Sequence, residues 1–179
     1  MKAIAVYCGA NSGASAFYAD AARAMGRALV EHNINLVYGG GNVGLMGAIA
    51  DEVLRLGGEV TGVIPRQLVE RELAHPGLTR LFVVKDMHER KAMMADLSDA
   101  FIALPGGMGT LEELFEMLTW LQLGIHSKPV GVLNAGRFYD QLVGFMGHLL
   151  QEGFVRPQHA GLMQVEADPD ALIKRLMGF

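Results

Sequence analysis

The 179-residue chain is 51% hydrophobic and 19% charged, with a formal net charge of −4. That is enough length for one domain with a sizeable core, short for two, and too apolar for a disordered chain. The charge balance leaves no basic footprint for nucleic acid or an anionic membrane, although a local nest of backbone N–H groups can bind a small anion whatever the global charge.

The first residues, Met1–Tyr7, become strand-like at once, without the long apolar region of a signal peptide. No apolar stretch approaches the roughly eighteen residues that span a bilayer, so a cytoplasmic globular domain is expected. Ala3–Cys8 is the first predicted strand. Cys8 is the single cysteine, so no internal disulfide or thiolate metal cluster can form, and at the end of an apolar run it reads as a buried structural thiol. From Phe17 the apolar positions Ala21, Ala24, Met25 and Ala28 follow helical spacing, with Ser15 as N-cap. Ile34–Tyr38 is strand-like and runs into Gly39-Gly40-Gly41. A helix over Val43–Leu56 ends at Gly57-Gly58, where glycine suits a helix terminus. Strand Val60–Ile64, an irregular polar stretch Pro65–Gly77 and strand Arg80–Val84 follow. Then come helix Met87–Leu97, strand Ala100–Leu104, helix Thr110–Leu123, strand Pro129–Leu133, helix Phe138–Glu152, a short strand Met163–Val165 and a last helix Pro169–Met177.

Short apolar strands alternating with helices imply βαβ units. The expectation is a single doubly wound, Rossmann-like α/β domain over 1–179, with a mainly parallel sheet. Ligands in that architecture bind beyond the carboxyl ends of the strands, so the strand-to-helix loops are where chemistry belongs.

Two such loops are rich in glycine. Gly39-Gly40-Gly41-Asn42-Val43-Gly44 matches the G-x-G-x-x-G fingerprint literally. It follows the second strand instead of the first, and the next strand ends Ile64-Pro65-Arg66, with no acidic residue for a ribose. Nicotinamide binding is disfavoured. Two readings stay open: a backbone surface that a ligand can approach closely, through Gly40 and Gly41, and a simple tight turn. The second loop, Pro105-Gly106-Gly107-Met108-Gly109-Thr110, opens a helix carrying Leu111, Glu112, Glu113 and Glu116. Glycines let amides converge on an anion, and the helix N-terminus adds about half a positive charge. Thr110 can cap the helix or donate to a phosphate oxygen. No lysine follows the glycines, so this is not a Walker A loop.

On a helical wheel Leu111, Leu114, Phe115, Leu118 and Leu121 form a core face, and Glu112, Glu116 and Thr119 a polar stripe. Glu113 shares a third side with Met117 and Trp120, the only tryptophan. A solvated surface has no use for that pair, so this side faces a pocket or a partner chain. The competing reading is that first-turn glutamates simply favour the helix dipole, and it fits Glu112 and Glu116 better than Glu113. In Asp86-Met87-His88-Glu89-Arg90-Lys91, Arg90 and Lys91 begin a helix after a strand, where Arg can grip a phosphate bidentately, although such a pair is usually a solvated face. His88 reads as a structural hydrogen-bonder. With no other ligand at the right spacing, no metal site is expected.

Taken together, Pro105–Glu113 matches the motif PGGxGTxxE and Met87–Lys91 the companion MHxRK. The chain resembles the LOG ("Lonely Guy") family, cytokinin riboside 5′-monophosphate phosphoribohydrolases. Val6-Tyr7-Cys8-Gly9, the triple glycine and Trp120–His126 also look like this family. The resemblance implies a Rossmann-like homodimer, without a cofactor, that releases free base and ribose 5-phosphate from AMP or isopentenyladenosine monophosphate. By motif position it makes Arg90 and Glu113 the catalytic pair. Lys91, Gly106, Gly107, Met108, Gly109, Thr110, Leu111, Glu112 and Thr119 would line the nucleotide site, with Glu72 a weaker substrate contact. Two further readings are a general nucleoside 5′-monophosphate nucleosidase and a non-catalytic binding protein like the molybdenum-cofactor carriers. Lysine decarboxylase, a label this family has carried, has no support, because no lysine sits in a pyridoxal phosphate context.

Overall fold

The computed structural model describes residues 1–69 and 74–179. Seven strands form one sheet: β1 (Ala3–Tyr7), β2 (Asn35–Tyr38), β3 (Val60–Pro65), β4 (Arg80–Val84), β5 (Ala100–Ala103), β6 (Val130–Leu133) and β7 (Met163–Glu166). Between and after them lie α1 (Ala16–Glu31), α2 (Gly44–Arg55), α3 (Met87–Asp96), α4 (Met108–Leu123), α5 (Asp140–Gln151) and α6 (Pro169–Met177). The strand order is β4-β3-β2-β1-β5-β6-β7, and every strand pairing among the described residues is parallel. The expected mainly parallel sheet is thus wholly parallel.

Both faces of the central strands are covered, which is why those strands read as continuous apolar runs, whereas the edge strand β4 leaves Leu81, Phe82 and Val83 exposed. Side chains of β1 alternate between two cores: Ile4 and Val6 point to one, Ala5 and Tyr7 to the other. On the first face α1, α2 and α6 deliver Met25, Leu29, Ile49, Val53, Leu172 and Ile173. On the second, α3 and α4 deliver Met94, Leu114, Met117 and Leu118. Helix starts follow local chemistry. Ser15 caps α1 by accepting from the Phe17 amide. Asp86 caps α3 by accepting from the amides of His88 and Glu89, and Asp168 caps α6 with Pro169 at its first position.

Three expectations change. The helix expected at Phe138 begins at Asp140, after a 3₁₀ turn at Ala135–Arg137, because the Asn134 side chain accepts from the Tyr139 amide and donates to Asp140. Helix α4 begins at Met108 with Gly107 as its cap residue, so Thr110 lies inside the first turn and caps nothing. Its buried face is turned from the predicted one: Thr110, Glu113, Leu114, Met117 and Leu118 are buried, while Leu111, Phe115 and Leu121 are only partly so. The wheel sorts residues by polarity, whereas the fold also draws Met117 into the core cluster that holds Tyr7, Phe101 and Leu118.

From β1 the chain steps outward through β2, β3 and β4, then α3 carries it back to β5 on the other side of β1. The loops after β1 and β5 therefore diverge and open a crevice, the expected place for a ligand.

Candidate active site

A cleft of about 510 Å³ occupies that crevice. Its walls come from the carboxyl ends of several strands. After β1 come Gly9, Asn11, Ser12 and Gly13; after β2, Gly39; after β4, Met87 and Arg90; after β5, Gly106, Gly107, Gly109, Thr110 and Glu113. Arg90 and Glu113, from helices that follow different strands, thus face one cavity. Both are nearly buried, with Arg90 6% and Glu113 8% exposed. A carboxylate and a guanidinium so far out of water act through a lower effective dielectric than surface charges do.

Arg90 is held from below. Its Nη2 donates to the Gly39 carbonyl at 3.2 Å, and its Nη1 lies 3.7 Å from Met87 Sδ. A Cβ at Gly39 would overlap the same Nη2, so glycine is what allows the guanidinium to lie there. Gly40 and Gly41 are absent from the cleft wall. The Gly40 carbonyl accepts from the His75 amide, while the Gly41 carbonyl accepts from the Tyr38 hydroxyl and Gly41 pairs with Ala74. Of the triple glycine, only Gly39 reaches the cleft.

The second loop behaves differently. Gly107 and Gly109 have nothing within 4 Å of where a Cβ would stand, so the backbone of the first turn of α4 is open to a ligand. Thr110 is 4% exposed and lies against Gly106. Within this loop Met108 points outward at 84% exposure, and it is not among the residues lining the cleft.

The remaining expected ligands are distributed as follows. Glu72 lies outside the described residues. Leu111, Glu112, Lys91 and Thr119 do not line the cleft. Lys91 is paired with Glu112 and Glu116. The Thr119 hydroxyl donates back to the Phe115 carbonyl, and the residue faces a second groove, between α4 and α5. His88 is exposed. Among the described residues no group of three or more His, Cys, Asp or Glu could hold a metal ion.

Cleft residues that the sequence reading did not place there include Tyr7, Asn11, Tyr18 and Phe138. Tyr18 and Phe138 meet edge to face at 5.7 Å between ring centres although 120 positions apart, and no local pattern signals that. Tyr7 and Asn11 flank the end of β1, which the switch point makes the natural place to look. Burial, followed by the charges of Glu113 and Glu116, pushes the Tyr7 phenol well above its ordinary range, so it stays protonated. Burial likewise pushes the Cys8 thiol up, which removes it as a nucleophile.

Comparison with known proteins accords with the architecture and the motifs. A family model described as "Possible lysine decarboxylase" matches residues 46–176. A cytokinin riboside 5′-monophosphate phosphoribohydrolase of Arabidopsis thaliana is 49% identical over 98% of this chain and 82% of its own length. One from Rhodococcoides fascians is 52% identical over 87% of this chain and 79% of its own. Among solved structures, a molybdenum cofactor binding protein from Rippkaea orientalis superposes with a TM-score of 0.74 at 19% identity, covering 99% of this chain and 96% of that one. The Moco carrier protein of Chlamydomonas reinhardtii gives 0.73 at 21%, covering 99% and 98%. At such identities the structural likeness concerns the fold alone. The sequence relatives go further: the chain belongs to the cytokinin riboside 5′-monophosphate phosphoribohydrolase, or LOG, family.

Proposed function

We propose that this chain hydrolyses the N-glycosidic bond of a nucleoside 5′-monophosphate, releasing the free base and ribose 5-phosphate. The observation that carries the reading is the meeting of Arg90 and Glu113 in one cleft, beside the open amides at the start of α4. Phosphate binding alone requires no buried carboxylate at that place.

The chemistry follows from the charges. The 5′-phosphate sits against Gly106–Thr110, where unpaired amides and the helix dipole favour an anion. Arg90, fixed by the Gly39 carbonyl, holds the ribose phosphate in register, so that binding energy remote from the bond supports the chemical step. Loss of the base leaves an oxocarbenium-like sugar. The Glu113 carboxylate stabilises that cation and takes a proton from the attacking water, whose oxygen bonds to C1′ as the C1′–N electron pair departs with the base and the base takes up a proton. The expected substrates are AMP and its N6-isopentenyl analogue, the second being of the class named for the relatives. Chromatography of protein incubated with each nucleotide should show free base and ribose 5-phosphate in equal amounts. Tight binding without release of either product from both nucleotides would overturn the reading in favour of a carrier.

The reading includes a homodimer in the cytoplasm. None of the residues of α5 is buried, yet Val143, Met146, Leu149 and Leu150 line a groove with Phe115 and Leu118 of α4. Apolar surface of that kind is normally covered in a soluble protein, and a second copy applying the same face is the simplest cover. Light scattering on the purified protein should give twice the mass of 19.3 kDa. The 19.3 kDa monomer at micromolar concentration would exclude it.

A further inference from the structure

Lys91 stands next to Arg90 on α3, and its side chain is 7% exposed. Its ammonium lies 2.5 Å from Glu112 Oε1 and 3.0 Å from Glu116 Oε2. The first contact is a hydrogen bond and the second an ion pair. Glu112 and Glu116 are one turn apart on α4 and flank Glu113. The backbone of α3 rests on β3 and β4, and that of α4 on β1, β5 and β6. The Lys91 bridge therefore joins two helices that otherwise lean on different strands. It joins them at the residues adjacent in sequence to the proposed catalytic pair: Arg90–Lys91 on one side, Glu112–Glu113 on the other.

The electrostatics oppose a role in phosphate binding. Burial pulls the Lys91 ammonium down, but its contacts with the Glu112 and Glu116 carboxylates outweigh it and leave the group above its ordinary value. One cation shared by two carboxylates carries a net negative charge. An incoming phosphate would have to displace Glu112 and approach Glu116. Lys91 also does not line the cleft.

We infer that Lys91 is a positioning residue for the proposed hydrolysis: by clamping α3 to Glu112 and Glu116 of α4 it sets the separation of Arg90 and Glu113, and it is not a ligand of the nucleotide. The inference rests on the hydrolase reading above. Misplacement of a reacting group by about 1 Å costs as much as a hundredfold in rate, so a small change in the angle between the helices is enough to matter.

The test measures base release from AMP, giving kcat and KM, together with AMP affinity by calorimetry, on four proteins besides wild type. They are Lys91→Met, Lys91→Arg, the double variant Glu112→Gln/Glu116→Gln, and the triple variant that adds Lys91→Met to it. Lys91→Met should lower kcat by about tenfold or more while KM and the AMP dissociation constant stay within about twofold, the signature of an interaction expressed only in the transition state. The double variant should reproduce that loss, the triple variant should lose little more, and Lys91→Arg should recover most of the rate. A rise of tenfold or more in the AMP dissociation constant of Lys91→Met, or tighter AMP binding by the double variant, would make Lys91 an anion ligand and overturn the inference. If Lys91→Met does not fold, the double variant and Lys91→Arg carry the same comparison. A wild-type protein that releases no base sinks the hydrolase reading instead, while the affinities still decide whether Lys91 is a ligand.

Discussion

Two glycine loops of similar composition end neighbouring halves of the same sheet, and they do opposite things. In the loop after β2 the glycines are spacers for protein against protein. A Cβ at Gly39 would strike the Arg90 guanidinium, and one at Gly44, whose φ is +61°, would run into the backbone of Ala10. In the loop after β5, Gly107 and Gly109 would meet nothing. Absence of a side chain serves dense packing in the first loop; in the second, Gly106 still packs against Thr110, and it is Gly107 and Gly109 that leave room for a ligand. Glycine count alone does not separate these cases; what surrounds the missing Cβ does.

The contrast can be broken at chosen points. The largest effect is expected at the carboxylate that the second loop delivers. Glu113→Gln should fold normally, with an unchanged thermal midpoint, yet lower turnover of AMP at least about a hundredfold, the usual scale for acid–base and electrostatic groups. Wild-type-like turnover would remove Glu113 from the mechanism. Next is Gly44→Ala, which forces a left-handed residue into the Ala10–Asn11 backbone and so displaces one wall of the cleft. A loss of about 2–3 kcal/mol in denaturant unfolding is expected, typical of a clash at a special backbone conformation. Gly107→Ala is the counterpart in the open loop. Its φ of −96° suits any residue, so stability should change by less than about 0.5 kcal/mol, as at an ordinary surface position. Its KM for AMP should nevertheless rise several-fold, because the methyl intrudes where the phosphate binds. A variant with unchanged KM would place the phosphate elsewhere.

The smallest effect concerns the sealed face behind the first loop. Glu52 on α2 accepts hydrogen bonds from Arg55 and, across to α1, from Arg27, and these hold its carboxyl near 2 against a usual value of 4.5. A lowered folded-state value means the contribution to stability is present above pH 4.5 and disappears as pH falls toward 2. Glu52→Gln should therefore melt a few degrees below wild type at pH 7, with the gap closing across that acid range. A gap independent of pH would assign the loss to packing.

The alternation of strands and helices was legible along the whole chain because each element carries its own apolar run, even where, as in β4 and α5, the fold leaves much of that run exposed or only partly buried. β4 has the predicted bounds, and the predicted cap at Ser15 is local chemistry that starts a helix anywhere. The motif around Gly106–Glu113 and the Arg90 segment were visible as strings of residues, since close backbone approach and a charged pair require particular side chains. What they were for depended on juxtaposition. The wheel for α4 put Glu113 and Met117 on a side facing a pocket or a partner; Glu113 does face the cleft, whereas Met117 joins the core, because a helix is turned by what it docks on as well as by its own polarity. Sequence by itself thus determined the doubly wound class, the order of elements and the residue types at the chemistry. Tertiary structure decided which glycines pack and which open, that Arg90 and Lys91, adjacent in the chain, face different partners, and that Tyr18 and Phe138 share a cleft. The physical reason is that propensity and periodicity act over one element, whereas a crevice forms only where strands of a parallel sheet run out and their loops turn apart.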